Sequence, residues 1–151
     1  MIPVWIWIKR HYTAVIITVV AVVLSIMAII NRSTTLHDAV LTRLVHLRSN
    51  LAIVSSVYTR TGAQPLSIPP ESDPVYSQLV SLSATLEQAK RPIHSPTLID
   101  QYDYTHATER LQAEEHRLSL TIHRYNQFVT WIGWSWLLRL AGVSPLPNLP
   151  N

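Results

Sequence analysis

The sequence predicts an all-α protein in which a single N-terminal transmembrane helix continues into an antiparallel bundle of three to four helices. Residues 12–30, YTAVIITVVAVVLSIMAII, form an uncharged stretch. At 1.5 Å per residue this stretch gives roughly 28 Å of helix, close to the ~30 Å hydrocarbon core of a bilayer. Apolar residues recur at helical spacing in three later segments, and no Pro or Gly interrupts residues 4–61. The span and the first bundle helix are therefore predicted to be continuous.

A cleavable signal peptide is the alternative interpretation of this apolar stretch. A signal peptide has an apolar core of about 7–15 residues that ends in small residues. The stretch here is longer, and Ile29-Ile30-Asn31-Arg32 makes a poor cleavage site. A retained signal anchor is therefore the prediction.

Residues 1–11 are predicted to form an interfacial segment before the span. Indole rings and basic side chains favour the headgroup zone of a bilayer. The predicted membrane-interface residues in this segment are Trp5, Trp7, Lys9 and Arg10. In an alternative interpretation, residues 2–8 extend the span and the two cations snorkel outward along their alkyl stems.

Residues 31–145 are predicted to form the bundle, and residues 146–151 a Pro-rich tail. The steps of 3, 4 and 7 between apolar residues indicate one buried face on each of three helices. The predicted faces are Leu36, Val40, Leu44, Leu47, Leu51, Val54 and Tyr58; Val75, Leu79, Leu82, Leu86 and Ala89; and Leu111, Leu118, Ile122, Tyr125, Val129, Ile132 and Trp136. Helices with such faces bury them against one another, which favours a bundle.

The helix ends are predicted from capping residues and from Gly and Pro. Gly62 ends the first helix, and Ser72 or Asp73 caps a second helix that begins at Pro74. Residues 92–103 are expected to be an irregular crossing that returns the chain along the bundle. The last helix begins near Thr105 and continues to Gly142 and Pro145.

The end of the last helix is unusually aromatic. It carries Trp131, Trp134 and Trp136 together with Phe128 and several leucines. Such a cluster is typical of a membrane-interface belt, and core packing at the open end of the bundle is the alternative. The three tryptophans complete the set of predicted membrane-interface residues.

The composition argues against several classes of function. Without Cys, thiolate metal sites and thiol catalysis are excluded, and the net charge of +3 is too small to favour nucleic-acid binding. His116 and His123 share a helix face but lie about 10 Å apart, too far to bind one ion. No catalytic motif occurs. We predict a protein that is not an enzyme, with no cofactor, no metal and no small-molecule substrate.

Residues 115–129, EHRLSLTIHRYNQFV, resemble the C-terminal helix signature of the LemA family, which reads roughly ENRI-A-x-A-R-R-x-YN-x-x-V. Gly142 and Pro145 stand where that family has a Gly-Phe-x-Pro element. The LemA family has no established enzymatic activity. The resemblance implies a membrane-anchored helical bundle of bacterial type that acts through protein or membrane contacts. The residues that match it or hold its fold are Glu115, Arg117, Leu118, Arg124, Tyr125, Asn126, Val129, Gly142 and Pro145.

The predicted function is therefore a LemA-like, membrane-anchored scaffold or interaction module. Its predicted partners are the lipid bilayer and other membrane proteins or further copies of itself. The alternative is an accessory single-pass subunit of a larger respiratory or photosynthetic membrane complex. The predicted location is a bacterial inner or intracytoplasmic membrane, with the N-terminus in the cytoplasm.

Overall fold

The structure of the protein is a computed structural model that describes residues 4–92 and 97–149, without the side chains of residues 4–8 and 10, and most of these residues are helical. The helices are α1 (Val4–Arg60), α2 (Val75–Ala89), α3 (Leu98–Thr130) and α4 (Ser135–Leu140). These described residues contain no strand, so the predicted all-α class is confirmed. The chain divides into two compact units, unit 1 (Met1–Thr35) and unit 2 (Leu36–Asn151).

Unit 1 contains the predicted span within α1. Among the described residues, one helix is long and apolar enough to cross a membrane. Its most apolar 18-residue window has a mean hydropathy of 2.9, and none of that window is buried. The hydroxyl groups of Thr18 and Ser25 donate to the carbonyl oxygens of Ala14 and Ala21, at 2.9 and 2.8 Å. The Thr and Ser hydroxyls of the stretch are thus hydrogen-bonded within the helix itself.

The core of unit 2 is built from the predicted apolar faces. Helix α1 contributes every residue of its predicted face except Leu36, which is half-buried, and it adds Val57. In α2 the face is buried from Leu79 to Ala89. The buried apolar residues of unit 2 are Val40, Leu44, Leu47, Leu51, Val54, Val57 and Tyr58; Leu79, Leu82, Leu86 and Ala89; Ala107, Leu111, Leu118, Ile122, Tyr125 and Val129; and Leu66, Leu138 and Leu149.

Contacts between α1 and α3 run in opposite order along the two helices. The ring centroids of His37 and Tyr125 lie 6.0 Å apart. Further along α1, Arg43 pairs with Glu114 at 3.5 Å. At the end of α1, Arg60 pairs with Asp103 at 3.0 Å. Because the α3 numbers fall as the α1 numbers rise, these two helices are antiparallel.

Helices α1 and α2 run in the same direction, which differs from the antiparallel order expected for them. Glu71, just before α2, pairs with Arg48 at 3.7 Å. At the other end of α2, the carbonyl oxygen of Gln88 accepts the Tyr58 hydroxyl at 2.9 Å. The Pro-rich connector between α1 and α2 therefore returns the chain along α1, and the Leu66 N–H donates to the Ser55 hydroxyl on the way.

Two predicted helix starts are wrong. Helix α3 begins at Leu98, so residues 98–103 are helical rather than part of an irregular crossing. Its N-cap is Thr97, whose hydroxyl accepts from the Asp100 N–H, as a capping Thr does. Residues 93–96 lie outside the described residues. The N-cap of α2 is Pro74, and neither Ser72 nor Asp73 caps it.

The last helix is not continuous to Gly142. Trp131 ends α3 in an extended conformation (φ −60°, ψ 129°), and α4 starts at Ser135. Gly133 lies beneath the Trp131 indole ring, where a Cβ atom would overlap the ring. Ile132 and Trp136 consequently do not continue the buried face, and Leu138 is buried in their place.

Candidate functional site

Phe128, Trp131 and Trp134 form a compact aromatic cluster at the turn between α3 and α4. The Trp134 indole N–H donates to the Phe128 carbonyl oxygen at 2.7 Å. The Trp134 ring lies 5.0 Å from the Phe128 ring and 4.2 Å from the Trp131 ring, centroid to centroid. Trp134 thus organises the turn by packing on both neighbours.

Beside this cluster lies an exposed apolar surface, which we call the Trp surface. It consists of Trp131, Ile132, Trp136 and Leu140, with exposed fractions of 55%, 91%, 61% and 81%. These four residues are close in sequence and share one turn and one short helix. A cluster of large apolar side chains left in water marks a contact with lipid or with another protein.

The Trp surface lies at the end of unit 2 where the chain enters it. Phe128 is one helical turn beyond Tyr125, and Tyr125 contacts His37, the second residue of unit 2. Because α3 is antiparallel to α1, its last turn reaches the same end of the unit as Leu36.

Helix α4 is amphipathic in spite of its shortness. Trp136, Arg139 and Leu140 are three and four residues apart and exposed, and Leu138 on the other face is buried. The helix ends at Gly142 (φ +77°), where the N–H groups of Gly142 and Val143 donate to the carbonyl oxygens of Arg139 and Leu138. This arrangement is a Schellman motif, in which Gly has no steric penalty at positive φ.

Tyr125 and Asn126 bind the Pro-rich segment that follows α4. The Tyr125 hydroxyl donates to the Ser144 carbonyl oxygen at 3.1 Å. The Asn126 side chain accepts from the Leu146 N–H and donates to the Leu146 carbonyl oxygen, both at 2.8 Å. Leu149 is buried a few residues later. The Tyr-Asn pair of the LemA-like signature thus fastens this segment to α3.

Replacing Asn126 with Ala is expected to loosen residues 143–149 without unfolding unit 2. The variant loses both hydrogen bonds to Leu146, at a cost of about 1–2 kcal/mol and so roughly 5–30-fold more frequent opening of this segment. Hydrogen exchange of the full-length protein in mild detergent, read by mass spectrometry, measures this opening. Gln127→Ala, one residue away and exposed, is the control. Unchanged protection of residues 143–149 in the Asn126 variant would contradict the role of this side chain.

The charged residues of the signature have different environments. Glu115 is nearly buried and accepts from the Lys90 ammonium at 3.0 Å. Arg117 pairs with Glu114, its neighbour on the preceding turn. Arg124 is exposed and forms no ion pair with any residue that the structure describes. Leu118 and Val129 belong to the core, and Pro145 is exposed directly after the Schellman motif.

The first two of residues 102–104, Tyr-Asp-Tyr, border a groove of about 450 Å³ between α1 and α3. Tyr102 stacks edge-on against His106, and Asp103 pairs with Arg60. The Tyr104 hydroxyl donates to the carbonyl oxygens of Ala89 and Arg91. Burial, together with the nearby Tyr58, raises the pKa of Tyr104 to about 12. Two of these three side chains thus tie α3 to α1 and to the end of α2.

The predicted membrane-interface residues of unit 1 are only partly within the described structure. The side chains of Trp5, Trp7 and Arg10 lie outside the described residues, and Lys9 is exposed. In unit 2, Trp131 and Trp136 are exposed, but Trp134 is half-buried and packs on its neighbours. The exposure of Ile132 was not predicted, because this residue was assigned to a buried helix face, whereas Leu140 was among the leucines of the predicted aromatic end.

Comparison with known proteins gives no further guide to these residues. No family model matches the chain, and no curated protein or solved structure was found to be similar to it. The LemA resemblance remains a prediction from residues 115–129.

Proposed function

We propose that this protein is a membrane-anchored, non-enzymatic scaffold or interaction module. In this proposal residues 12–30 span a bilayer, and unit 2 is a LemA-like helical bundle held at its surface. The single observation that carries it is the exposed apolar surface of α1 in unit 1. Leaving an apolar helix surface of that length in water costs about 25 cal/mol of free energy for each Å² that stays unburied.

The internal hydrogen bonds of the span support the same proposal. The Thr13, Thr18 and Ser25 hydroxyls all donate to carbonyl oxygens four residues earlier. The side chains of residues 13–30 therefore leave no hydroxyl group without a hydrogen bond, and their exposed surface is largely hydrocarbon. A bilayer core is the environment that favours such a helix.

The Trp surface supports a second contact with the same membrane. The chain enters unit 2 at Leu36, six residues after the end of the proposed span. The Trp surface lies at this end of unit 2, and tryptophan is the residue most typical of the headgroup zone. We propose that this surface lies in the bilayer interface and fixes how unit 2 stands on the membrane.

Extraction in mild detergent through a carboxyl-terminal affinity tag tests the proposed function. The expected product is this chain alone or self-associated, with the intact mass of the whole 17.1 kDa chain plus its tag. Other membrane proteins at a fixed ratio would instead support the accessory-subunit alternative. A mass that lacks the first thirty or so residues would identify a cleaved signal sequence and overturn the anchor.

A further inference from the structure

The acidic residues of this chain are confined to its middle. All nine Asp and Glu residues lie between Asp38 and Glu115, whereas six of the twelve Lys and Arg residues lie outside that range. The net charge of +3 therefore divides into about −3 for residues 38–115 and +6 for the two ends. The net charge is therefore unevenly distributed along the chain, because the cations are spread over its length and the anions are not.

In unit 2 the acid-free part of the chain includes the Trp surface. Residues 116–149 hold Arg117, Arg124 and Arg139 with no acid. Arg124 and Arg139 are exposed and have no ion pair with a described residue. At the end of unit 2 where the chain enters it, the first acidic residue is Asp38, next to His37 on α1. The guanidinium groups of Arg124 and Arg139 are thus available to bind an anion from outside unit 2.

Both arginines are exposed near the tryptophans of the Trp surface. Arg124 lies on α3 about two helical turns before Trp131, the residue at which this helix ends. Arg139 is three residues from Trp136 and one from Leu140 on the exposed face of α4. A long Arg side chain can keep its guanidinium group among the headgroups while a neighbouring aromatic ring enters the bilayer interface. This combination of apolar and basic residues is typical of surfaces that lie on anionic bilayers.

We propose that the Trp surface binds anionic lipid headgroups, with Arg124 and Arg139 as the phosphate-binding residues. This inference rests on the proposed membrane contact of unit 2 and adds the chemical class of lipid. Arg is suited to this role because its planar fork binds phosphate oxygens in pairs. Other proteins are alternative occupants of the surface, and the experiment below separates them from lipid.

Quenching of tryptophan fluorescence by brominated lipid tests the proposal. The full-length protein carries Trp5→Phe and Trp7→Phe, so that emission comes from Trp131, Trp134 and Trp136 alone. It is reconstituted in vesicles of phosphatidylcholine, with or without phosphatidylglycerol, whose acyl chains are brominated near the headgroup. Quenching is recorded at low and at high salt, and near-ultraviolet circular dichroism verifies the fold.

We expect stronger quenching in the anionic vesicles and loss of the difference at high salt, because salt screens exposed charges. Arg124→Gln with Arg139→Gln should remove the difference, each arginine changing the bound-to-free ratio about fivefold. Arg110→Gln, on α3 but far from the Trp surface, should retain it. Equal quenching in both vesicles would overturn the lipid preference and leave the membrane contact intact. No quenching in either would overturn the proposed contact itself and favour a protein partner.

Discussion

Replacing both Val19 and Val23 with Asp is expected to release the protein from the membrane. An Asp near the centre of a spanning helix costs about 2.5–3.5 kcal/mol, so two cost about 5–7 kcal/mol. Val19 and Val23 are two of the eleven Val, Ile and Leu residues of the stretch, and the nine that remain supply about −3 to −5 kcal/mol together. The two terms are of similar size, so insertion is no longer favoured. Alkaline carbonate extraction followed by centrifugation measures the result.

The matched control uses two other exposed valines. Val19 and Val23 are 56% and 49% exposed, and Val45 and Val80 in unit 2 are 53% and 51% exposed. Val45→Asp with Val80→Asp adds the same charge to helix surfaces outside the proposed span. This control should stay with the membrane as the wild type does. If both double variants remained in the pellet, residues 12–30 would not be what holds the protein there.

Replacing Lys90 with Met is expected to destabilise unit 2 by about 1–3 kcal/mol. The change leaves Glu115 nearly buried without its cation. Removing one partner of a fully buried pair costs about 3–5 kcal/mol. The expected loss is smaller, because the Lys90 side chain keeps 31% of its surface in water. Thermal unfolding of the full-length protein in mild detergent, followed by near-ultraviolet circular dichroism, measures the loss.

Two further variants distinguish the effect of the Lys90–Glu115 pair from that of an exposed charge. Lys90→Met with Glu115→Leu removes both charges and should recover most of the lost stability, since a well-packed apolar pair can replace an ion pair. Glu87→Gln removes only the exposed partner of Lys90 and should change stability by less than about 0.5 kcal/mol. A Lys90 variant as stable as the wild type would show that Glu115 does not need this cation.

The contribution of this pair depends on pH in a defined direction. Burial lowers the pKa of the Lys90 ammonium, but the pairs with Glu115 and Glu87 outweigh burial and leave it raised above 10.5. Because the folded-state pKa is the higher one, the pair contributes fully below pH 10.5. Its contribution is lost as the pH rises through the folded-state value. The difference between wild type and Lys90→Met should therefore shrink above pH 10.5.

The buried faces could be predicted from sequence because they follow from periodicity alone. The step pattern from Val40 to Tyr58 matches the helical repeat, and these residues are buried as predicted. The end of α1 at Gly62 was also predicted, since few other residues adopt its φ of +75°. Long periodic helices and glycine caps are local signals, and they need no knowledge of the tertiary fold.

The relative direction of α1 and α2 could not be predicted in this way. Periodicity is the same for parallel and antiparallel neighbours, and the connector could turn or return along α1. The contacts of Glu71 with Arg48 and of Leu66 with Ser55 show that the connector returns along α1. The break between α3 and α4 was missed because Ile132 and Trp136 continue the numerical pattern. The packing of Trp131 over Gly133 interrupts the helix there.

The tryptophans of the candidate site could be identified from the sequence. Which of them is packed and which are exposed could not be predicted. Trp134 is half-buried and packs on both aromatic neighbours, whereas Trp131 and Trp136 are exposed. Arg124 was predicted only as a signature residue. The available signal was the absence of acids after Glu115, which a single net charge for the whole chain conceals.

The proline content of the segment bound by Tyr125 and Asn126 affects its conformational entropy. Ordering a flexible residue costs about 1–2 kcal/mol, so a few hydrogen bonds to Asn126 and Tyr125 would barely hold a flexible peptide. Pro145 and Pro147 fix φ at two positions of this segment before it binds. The unbound segment therefore has less freedom to lose. Part of the stability of this attachment therefore comes from the low conformational entropy of the detached segment, which the contacts of the folded structure do not show.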